Sequence, residues 1–189
     1  MSGRQPGIHL NAEGRQQAER LAHRIGRRLK RTPLTAIYSS PLERAMETAA
    51  PIAQLTGLPV ETSERFAEIQ FGEWTGRTLD ELSDVPEWRR FNTQRGMTRI
   101  PGGEHMLEVQ SRVITEIETL RLRHPDGSVA IVSHMDVIRA AIAHFAGIHL
   151  DLIFRFDIAP ASISIVEISE RDPRILLLND TGDDTGEYL

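Results

Sequence analysis

The chain of 189 residues contains no cysteine, which excludes disulfide bonds, thiolate metal sites and a cysteine nucleophile. Aromatic residues are also scarce, at 5% of the total. No apolar run approaches the roughly 20 residues that a membrane-spanning helix needs, and the first residues have no apolar segment typical of a signal peptide. These absences predict a cytoplasmic protein that does not contact a membrane.

The chain also has no excess of basic residues. The chain has 22 lysines and arginines against 27 aspartates and glutamates, a net charge of −5. This balance argues against a nucleic-acid-binding protein. Hydrophobic residues at 40% and charged residues at 26% are typical of a folded globular chain. We expect one domain over residues 1–189 with a solvated acidic tail at 180–189, and composition indicates no oligomeric state.

Helical and strand patterns alternate along the chain. Apolar spacing predicts helices at about 11–30, 40–57, 104–123 and 136–146, and strands at 35–38, 59–62, 129–132, 163–168 and 174–178. Residues 63–103 are predicted to be irregular, with short helices near 78–82 and 86–95. The alternation predicts an α/β fold, a three-layer sandwich with a mostly parallel central sheet flanked by helices.

Two strand ends carry residues suited to binding an anion. Strand 35–38 leads into a helix whose first turn contains Arg44, and strand 129–132 leads through Ser133 and His134 into the helix at 136. Ligands bind at the carboxyl ends of parallel strands, where helix N-termini favour negative charge. The pattern predicts a phosphate or carboxylate pocket. The alternative is a solvated arginine and a structural histidine, and the two segments alone do not decide between them.

The start of the predicted helix at 40–57 also carries strong local signals for a helix N-terminus. Ser40, Pro41 and Glu43 match a serine N-cap, a proline in the first turn and a capping-box glutamate. We therefore expect the hydroxyl of Ser40 to cap the helix.

A third candidate is Glu68, which lies between Phe66 and Phe71 in an aromatic segment. Burial beside aromatic rings would raise the pKa of its carboxyl group and suit it to proton donation. The alternative is an exposed glutamate on a loop whose aromatic side chains fill the core. The histidines are scattered without the spacing of metal ligands, so neither a metal nor another cofactor is expected.

Five segments together resemble the histidine phosphatase superfamily, the phosphoglycerate-mutase-like proteins. They follow the family's order and are HLNAEGRQQA at 9–18, YSSPLERAMETA at 38–49, FAEIQFGEWTG at 66–76, PGGE at 101–104 and VSH at 132–134. The short stretch between the third and fourth segments favours the phosphatase branch. The substrate implied is a small phosphorylated metabolite, and no cofactor is implied.

The resemblance assigns roles to individual residues. In the family, a histidine attacks the phosphoryl group, and the resulting phosphohistidine is discharged by water or another acceptor. The match implies that Arg44 and His134 hold the phosphate oxygens and that Glu68 protonates the leaving group. Substrate contacts are also implied for Ser133 and Glu104 of the matching motifs and for His105, which stands where the family usually has serine.

One motif of the family is missing from this sequence. The family's nucleophile lies in an R-H-G motif at the end of its first strand, and here no histidine follows an arginine and no strand is predicted before residue 10. A mis-assigned start and a true loss of the nucleophile are both compatible with this departure. By the family mechanism, the 189-residue chain is expected to be inactive. The hypotheses are a phosphatase completed by further residues, a non-catalytic phosphate-binding or interaction protein, and a phosphoglycerate mutase.

Overall fold

A computed structural model describes residues 1–29, 32–169 and 172–182. Its helices, in chain order, are α1 Ala12–Leu29, α2 Glu43–Thr56, α3 Leu79–Ser83, α4 Pro86–Thr93, α5 Met106–Arg123 and α6 Met135–Phe145. Its strands are β1 Leu34–Ser39, β2 Val60–Thr62, β3 Ser128–Val132, β4 Ile163–Glu167 and β5 Arg174–Asp180. Single 3₁₀ segments occupy 64–66, 72–74 and 150–155. Within these described residues, no helix is long and apolar enough to cross a membrane.

The sheet is built around β1, which pairs in parallel with β2 on one side and β3 on the other. Ile37 of β1 is level with Val60 of β2 and with Ala130 of β3. Strands β4 and β5 form a separate antiparallel pair. The carboxyl ends of β1 and β3 therefore lie at the same edge of the parallel sheet.

Helices cover both faces of this sheet because successive side chains of β1 point in opposite directions. Ala36 and Tyr38 belong to one apolar cluster that includes buried residues of α5 and α6. Ile37 belongs to a second cluster with buried residues of α1 and α2, such as Leu21 and Ile52. The predicted α/β class with a parallel sheet flanked by helices is thus confirmed.

The predicted cap at the start of α2 is wrong. The N-cap position belongs to Leu42, and no side chain caps it. The Ser40 hydroxyl instead lies 2.8 Å from Nε2 of His134, a residue 94 positions away. The Glu43 carboxylate accepts a hydrogen bond from the backbone of Gly7. The Ser40 hydroxyl keeps a local hydrogen bond from the Leu42 amide at 3.3 Å, but α2 begins after Leu42 and has no side-chain cap.

The predicted helices and strands begin and end within a few residues of the observed ones. Two predictions lie outside the described part of the chain: the end of the first helix at Lys30, and most of the acidic tail, 183–189. At the start of that tail, Asp180 pairs with Arg28 at 2.6 Å between carboxylate and guanidinium.

The outer edge of β3 carries no strand among the described residues, since β3 pairs only with β1. All five residues of this mainly apolar strand are only half-buried. Ala130 and Val132 of β3 pack against the same cluster as Ile163 of β4. The β3 edge and the β4–β5 pair therefore lie around one apolar cluster without being joined.

Glycine allows two loops to approach closely behind Glu68. The backbone of Gly72 has a φ of +48°, and a Cβ there would lie 2.2 Å from the carbonyl oxygen of Pro101. The neighbouring Glu73 amide donates to that same carbonyl at 3.0 Å, and the Glu104 amide donates to Gln70. These contacts fix the loop after Glu68 against the start of α5.

Replacing this glycine tests how tightly the two loops are packed. Gly57 is a matched control because its φ is also positive, at +72°, but nothing lies within 4 Å of a Cβ there. We expect Gly57→Ala to lower the free energy of unfolding by about 1–2 kcal/mol, the cost of the left-handed conformation. Gly72→Ala should cost about 1–3 kcal/mol more from overpacking. Urea unfolding measures both, and equal losses would contradict the close approach.

Candidate functional site

The candidate site lies where β1 and β3 end. The Ser40 amide donates to the Val132 carbonyl at 2.9 Å, which joins the two strand ends. Beside them is a cavity of about 210 Å³. Residues from α1, α2, the end of β3 and the loop before β4 line it: Leu10, Gly14, Gln17, Arg44, Ala45, Thr48, Ser133, His134, Pro160 and Ala161.

Arg44 supplies positive charge to this cavity from the first turn of α2. Its Nη2 donates to the carbonyl oxygen of Gly3 at 2.8 Å. Its Nη1 is buried and has no hydrogen-bond partner among the described residues. A buried guanidinium N–H without a partner is costly. Because the side chain lines the cavity, this group is suited to an anionic oxygen there.

His134 lies opposite, at the N-terminus of α6, and is 7% exposed. Its Nε2 lies 2.8 Å from the Ser40 hydroxyl, and its Nδ1 lies 3.9 Å from Oε2 of Glu68. Burial, followed by the positive charges of Arg44, Arg112 and Arg4, lowers the pKa of the imidazole to about 3. The ring is therefore neutral near neutral pH.

Glu68 has an environment that favours its acid form. Its side chain is 16% exposed, and Oε1 accepts a hydrogen bond from the Ile69 amide at 3.0 Å. Burial, followed by the negative charge of Asp136, raises the pKa of the carboxyl group to about 7. The predicted desolvation beside aromatic residues agrees with this direction. The group can hold a proton and release it near neutral pH.

A network of two arginines and one glutamate holds the Glu68 backbone. Arg4 donates to the Glu68 carbonyl at 2.6 Å, and Arg112 donates to it at 3.3 Å. Glu104 pairs with both, at 3.0 Å to Arg4 and 2.8 Å to Arg112, and also accepts from the Gln70 amide. The network fixes the position of Glu68 and places two further positive charges near His134.

The structure brings together some of the predicted site residues and separates others. Arg44, Ser133 and His134 line one cavity, and the Ser133 hydroxyl donates to the Phe66 carbonyl at 2.8 Å. Glu68 and Glu104 are both outside the cavity lining, and the carboxylate of Glu104 is held by the two arginines. His105 is also outside the lining and is the N-cap of α5, accepting from the Leu107 amide.

Of four further residues at the site, two carry no sequence signal and two carry a weak or misleading one. Arg4 and Arg112 reach the Glu68 carbonyl from 64 and 44 positions away. Asp136 follows His134 by two residues, which is a weak signal, and its buried carboxylate pairs with Arg95 at 2.9 Å. Ser40 was expected to cap a helix. Among the described residues, no group of three histidine, aspartate or glutamate side chains is placed to hold a metal ion.

Known proteins resemble this chain over most of its length. The sequence profile described as "Histidine phosphatase superfamily (branch 1)" matches residues 1–181. The chain belongs to this superfamily. Among solved structures, YhfR of Bacillus stearothermophilus superposes with a TM-score of 0.86 and 30% identity, over 95% of this chain and 88% of that one.

Named relatives of this superfamily member include a phosphatase and a mutase. Phosphoserine phosphatase 1 of Hydrogenobacter thermophilus is 35% identical over 184 residues, which cover 95% of this chain and 85% of the relative. A probable phosphoglycerate mutase, GpmB, of Salmonella choleraesuis is 34% identical over 166 residues, which cover 85% of this chain and 74% of the relative. The predicted resemblance to phosphoglycerate-mutase-like histidine phosphatases is confirmed.

The two perturbed groups predict a specific dependence of stability on pH. Glu68 binds its proton more tightly in the folded chain, with a pKa of about 7 against 4.5, so its titration destabilises the fold as the pH rises between these values. His134 binds its proton less tightly, about 3 against 6.5, so its titration stabilises the fold as the pH rises. Between 4.5 and 6.5 the two effects oppose each other.

Glu68→Gln removes only the destabilising titration. We expect the free energy of unfolding of this variant, relative to the unaltered chain, to increase by about 1.4 kcal/mol per pH unit between pH 4.5 and 6.5. Urea unfolding at several pH values measures the difference. Glu19→Gln, which removes a carboxylate from the exposed face of α1, is the matched control. A constant difference for Glu68→Gln would contradict the raised pKa.

Proposed function

We propose that this chain provides most of the active site of a phosphomonoester hydrolase. In this site Arg44 and His134 hold the phosphoryl group, and Glu68 protonates the leaving oxygen. The observation that carries the proposal is the buried, unpartnered Nη1 of Arg44 beside a neutral His134 in one cavity. Nδ1 of His134 is 3.9 Å from Glu68, close enough for one phosphoryl group to contact both side chains.

The charges of the site suit a phosphate ester. Arg44 offers fixed positive charge to the phosphoryl oxygens, and Arg4 and Arg112 add to the field at His134. Glu68 has a pKa of about 7, and its acid form carries no negative charge that would repel the substrate. An acid with a pKa near the working pH is well matched to proton transfer.

The proposal assigns the nucleophile to a segment outside these 189 residues. The open edge of β3 supports a place for it, because β3 is a half-buried apolar strand that shares a cluster with β4 but pairs only with β1 among the described strands. A strand parallel to β3 at this edge would end beside the cavity that His134 lines. A histidine at its end would then face the phosphoryl group.

The reaction proceeds in two balanced steps. In the first, an imidazole nitrogen of that histidine attacks phosphorus, the bond between phosphorus and the ester oxygen breaks, and Glu68 gives its proton to the departing alkoxide. In the second, water attacks phosphorus, the bond between phosphorus and nitrogen breaks, and the Glu68 carboxylate accepts a proton from the water. The products are an alcohol and inorganic phosphate, and no metal or other cofactor takes part.

The substrate class we propose is a small phosphorylated metabolite. Phosphoserine phosphatase 1 and the probable phosphoglycerate mutase support this class, and the phosphatase aligns over the larger share of the chain. The mutase relative favours a second candidate, a phosphoglycerate mutase, in which the phosphohistidine passes its phosphoryl group to a substrate hydroxyl instead of water. Release of inorganic phosphate from 3-phosphoglycerate, without its conversion to 2-phosphoglycerate, distinguishes the hydrolase from the mutase.

Turnover tests the proposal directly. The experiment compares the 189-residue chain with the upstream form, which is the protein produced from its own gene together with the native upstream sequence. The substrates are p-nitrophenyl phosphate, phosphoserine and 3-phosphoglycerate. The upstream form should release phosphate, and the 189-residue chain should not. In the upstream form, Arg44→Ala and Glu68→Gln should each lower kcat/KM by about 10²–10⁴-fold. Thr35→Ser, a conservative substitution near the start of β1 and distant from the cavity, is the control.

Two results contradict this assignment. Robust turnover by the 189-residue chain that survives His134→Ala would exclude a phosphohistidine mechanism with His134 as a ligand. Binding of inorganic phosphate without turnover by either form, lost in Arg44→Ala, would favour the non-catalytic phosphate-binding protein. The intact mass of the protein isolated from its own cells determines whether upstream residues are present in the natural protein.

Hydrogen exchange tests where the proposed strand lies. In the 189-residue chain, the β3 amides that do not bond to β1 should exchange rapidly, and in the upstream form they should be protected. The amides between β1 and β2 serve as the internal control, because their partners are the same in both forms. Equal exchange of β3 in the two forms would mean that the strand does not pair at this edge.

A further inference from the structure

The hydroxyl group of Ser40 is fully buried between a backbone amide and the ring of His134. Ser40 is 0% exposed, and its Oγ accepts a hydrogen bond from the Leu42 amide at 3.3 Å. The same Oγ lies 2.8 Å from Nε2 of His134. Ser40 and His134 are both buried, so the contact between them has little access to water.

The donor and acceptor roles of the neighbouring groups determine which atom donates in the bond between Ser40 Oγ and His134 Nε2. The Leu42 amide is a donor, so it occupies a lone pair of the Ser40 oxygen and does not accept the hydroxyl proton. Among the hydrogen bonds of the described residues, the group left to accept that proton is Nε2 of His134. If Nε2 carried a proton itself, the buried Ser40 hydroxyl proton would be left without an acceptor, at a cost of about 1–3 kcal/mol.

We infer that Ser40 fixes His134 as the neutral tautomer with its proton on Nδ1, so that the ring presents a donor to a phosphoryl oxygen. The opposite tautomer would direct the lone pair of Nδ1 toward the ligand and repel an anion. Ser40 is thus a positioning residue that acts through His134. The functional meaning of this inference rests on the proposed phosphate site, but the tautomer itself does not.

Nitrogen NMR of the 189-residue chain tests the inference. A long-range ¹H–¹⁵N spectrum distinguishes a protonated ring nitrogen from an unprotonated one, and His134→Asn identifies the His134 signals among those of the seven histidines. Near pH 7 we expect a protonated shift for Nδ1 and an unprotonated shift for Nε2. A protonated Nε2 in the unaltered chain would overturn the inference without any variant.

Variants of two neighbouring buried serines separate this role from a structural one. Ser40→Ala should release the ring from the Nδ1-protonated form and weaken binding of inorganic phosphate by about tenfold, the loss of one charge-assisted hydrogen bond. Ser39→Ala is the matched control, because Ser39 is also 0% exposed but its hydroxyl donates to the Ser40 carbonyl at 2.9 Å. It should retain the tautomer and the phosphate affinity. An unchanged tautomer in Ser40→Ala would overturn the inference.

These outcomes are separable from those of the proposed function. If neither form of the protein turns over a phosphate ester but His134 is protonated on Nδ1, the hydrolase proposal fails and the role of Ser40 stands. If turnover occurs while Nε2 is the protonated nitrogen, the role of Ser40 fails and the hydrolase stands.

Discussion

The site depends on the parallel pairing of β1 with β3. This pairing brings two chain segments more than 90 residues apart to the same sheet edge, where the Ser40 amide bonds to the Val132 carbonyl. Helix α2 follows β1 and helix α6 follows β3, so the two helices start side by side. Arg44 and His134 therefore line one cavity. Both helix N-termini add their positive ends to the same space. The positions of Arg44 and His134 follow from this one backbone arrangement.

Burial at that edge gives neighbouring groups opposite preferences for a proton. The same loss of water raises the proton affinity of Glu68 and lowers that of His134, since each group avoids its charged form. The surrounding arginines deepen the effect on the histidine and partly offset it on the glutamate. Between a pH of about 3 and a pH of about 7, the pair therefore holds one proton, and this proton is on the Glu68 carboxyl group.

Sequence patterns predicted the parts of this arrangement that depend on chain order. Arg44 and His134 were predicted because each follows a strand, and the ends of parallel strands meet. The cap assigned to Ser40 was wrong because α2 begins after Leu42, and a local signal cannot show that the same hydroxyl also contacts a histidine 94 residues away. Arg4 and Arg112 left no pattern, since they act on a backbone carbonyl, which any residue provides. The order of the elements was predictable from sequence, whereas side-chain partners distant in the chain were not.

The open edge of β3 also has a consequence for the state of the protein in a cell. An unpaired apolar strand is a template for pairing with other chains, which natural sheets avoid by covering, charging or shortening their edges. Val129 to Val132 carry no charge, and no described strand covers their outer edge. The edge that the proposed nucleophile-bearing strand would cover is therefore also an aggregation hazard when it is bare. If the proposed strand pairs there, the same five residues of backbone that hold it beside the cavity also determine how readily the chain associates with other copies.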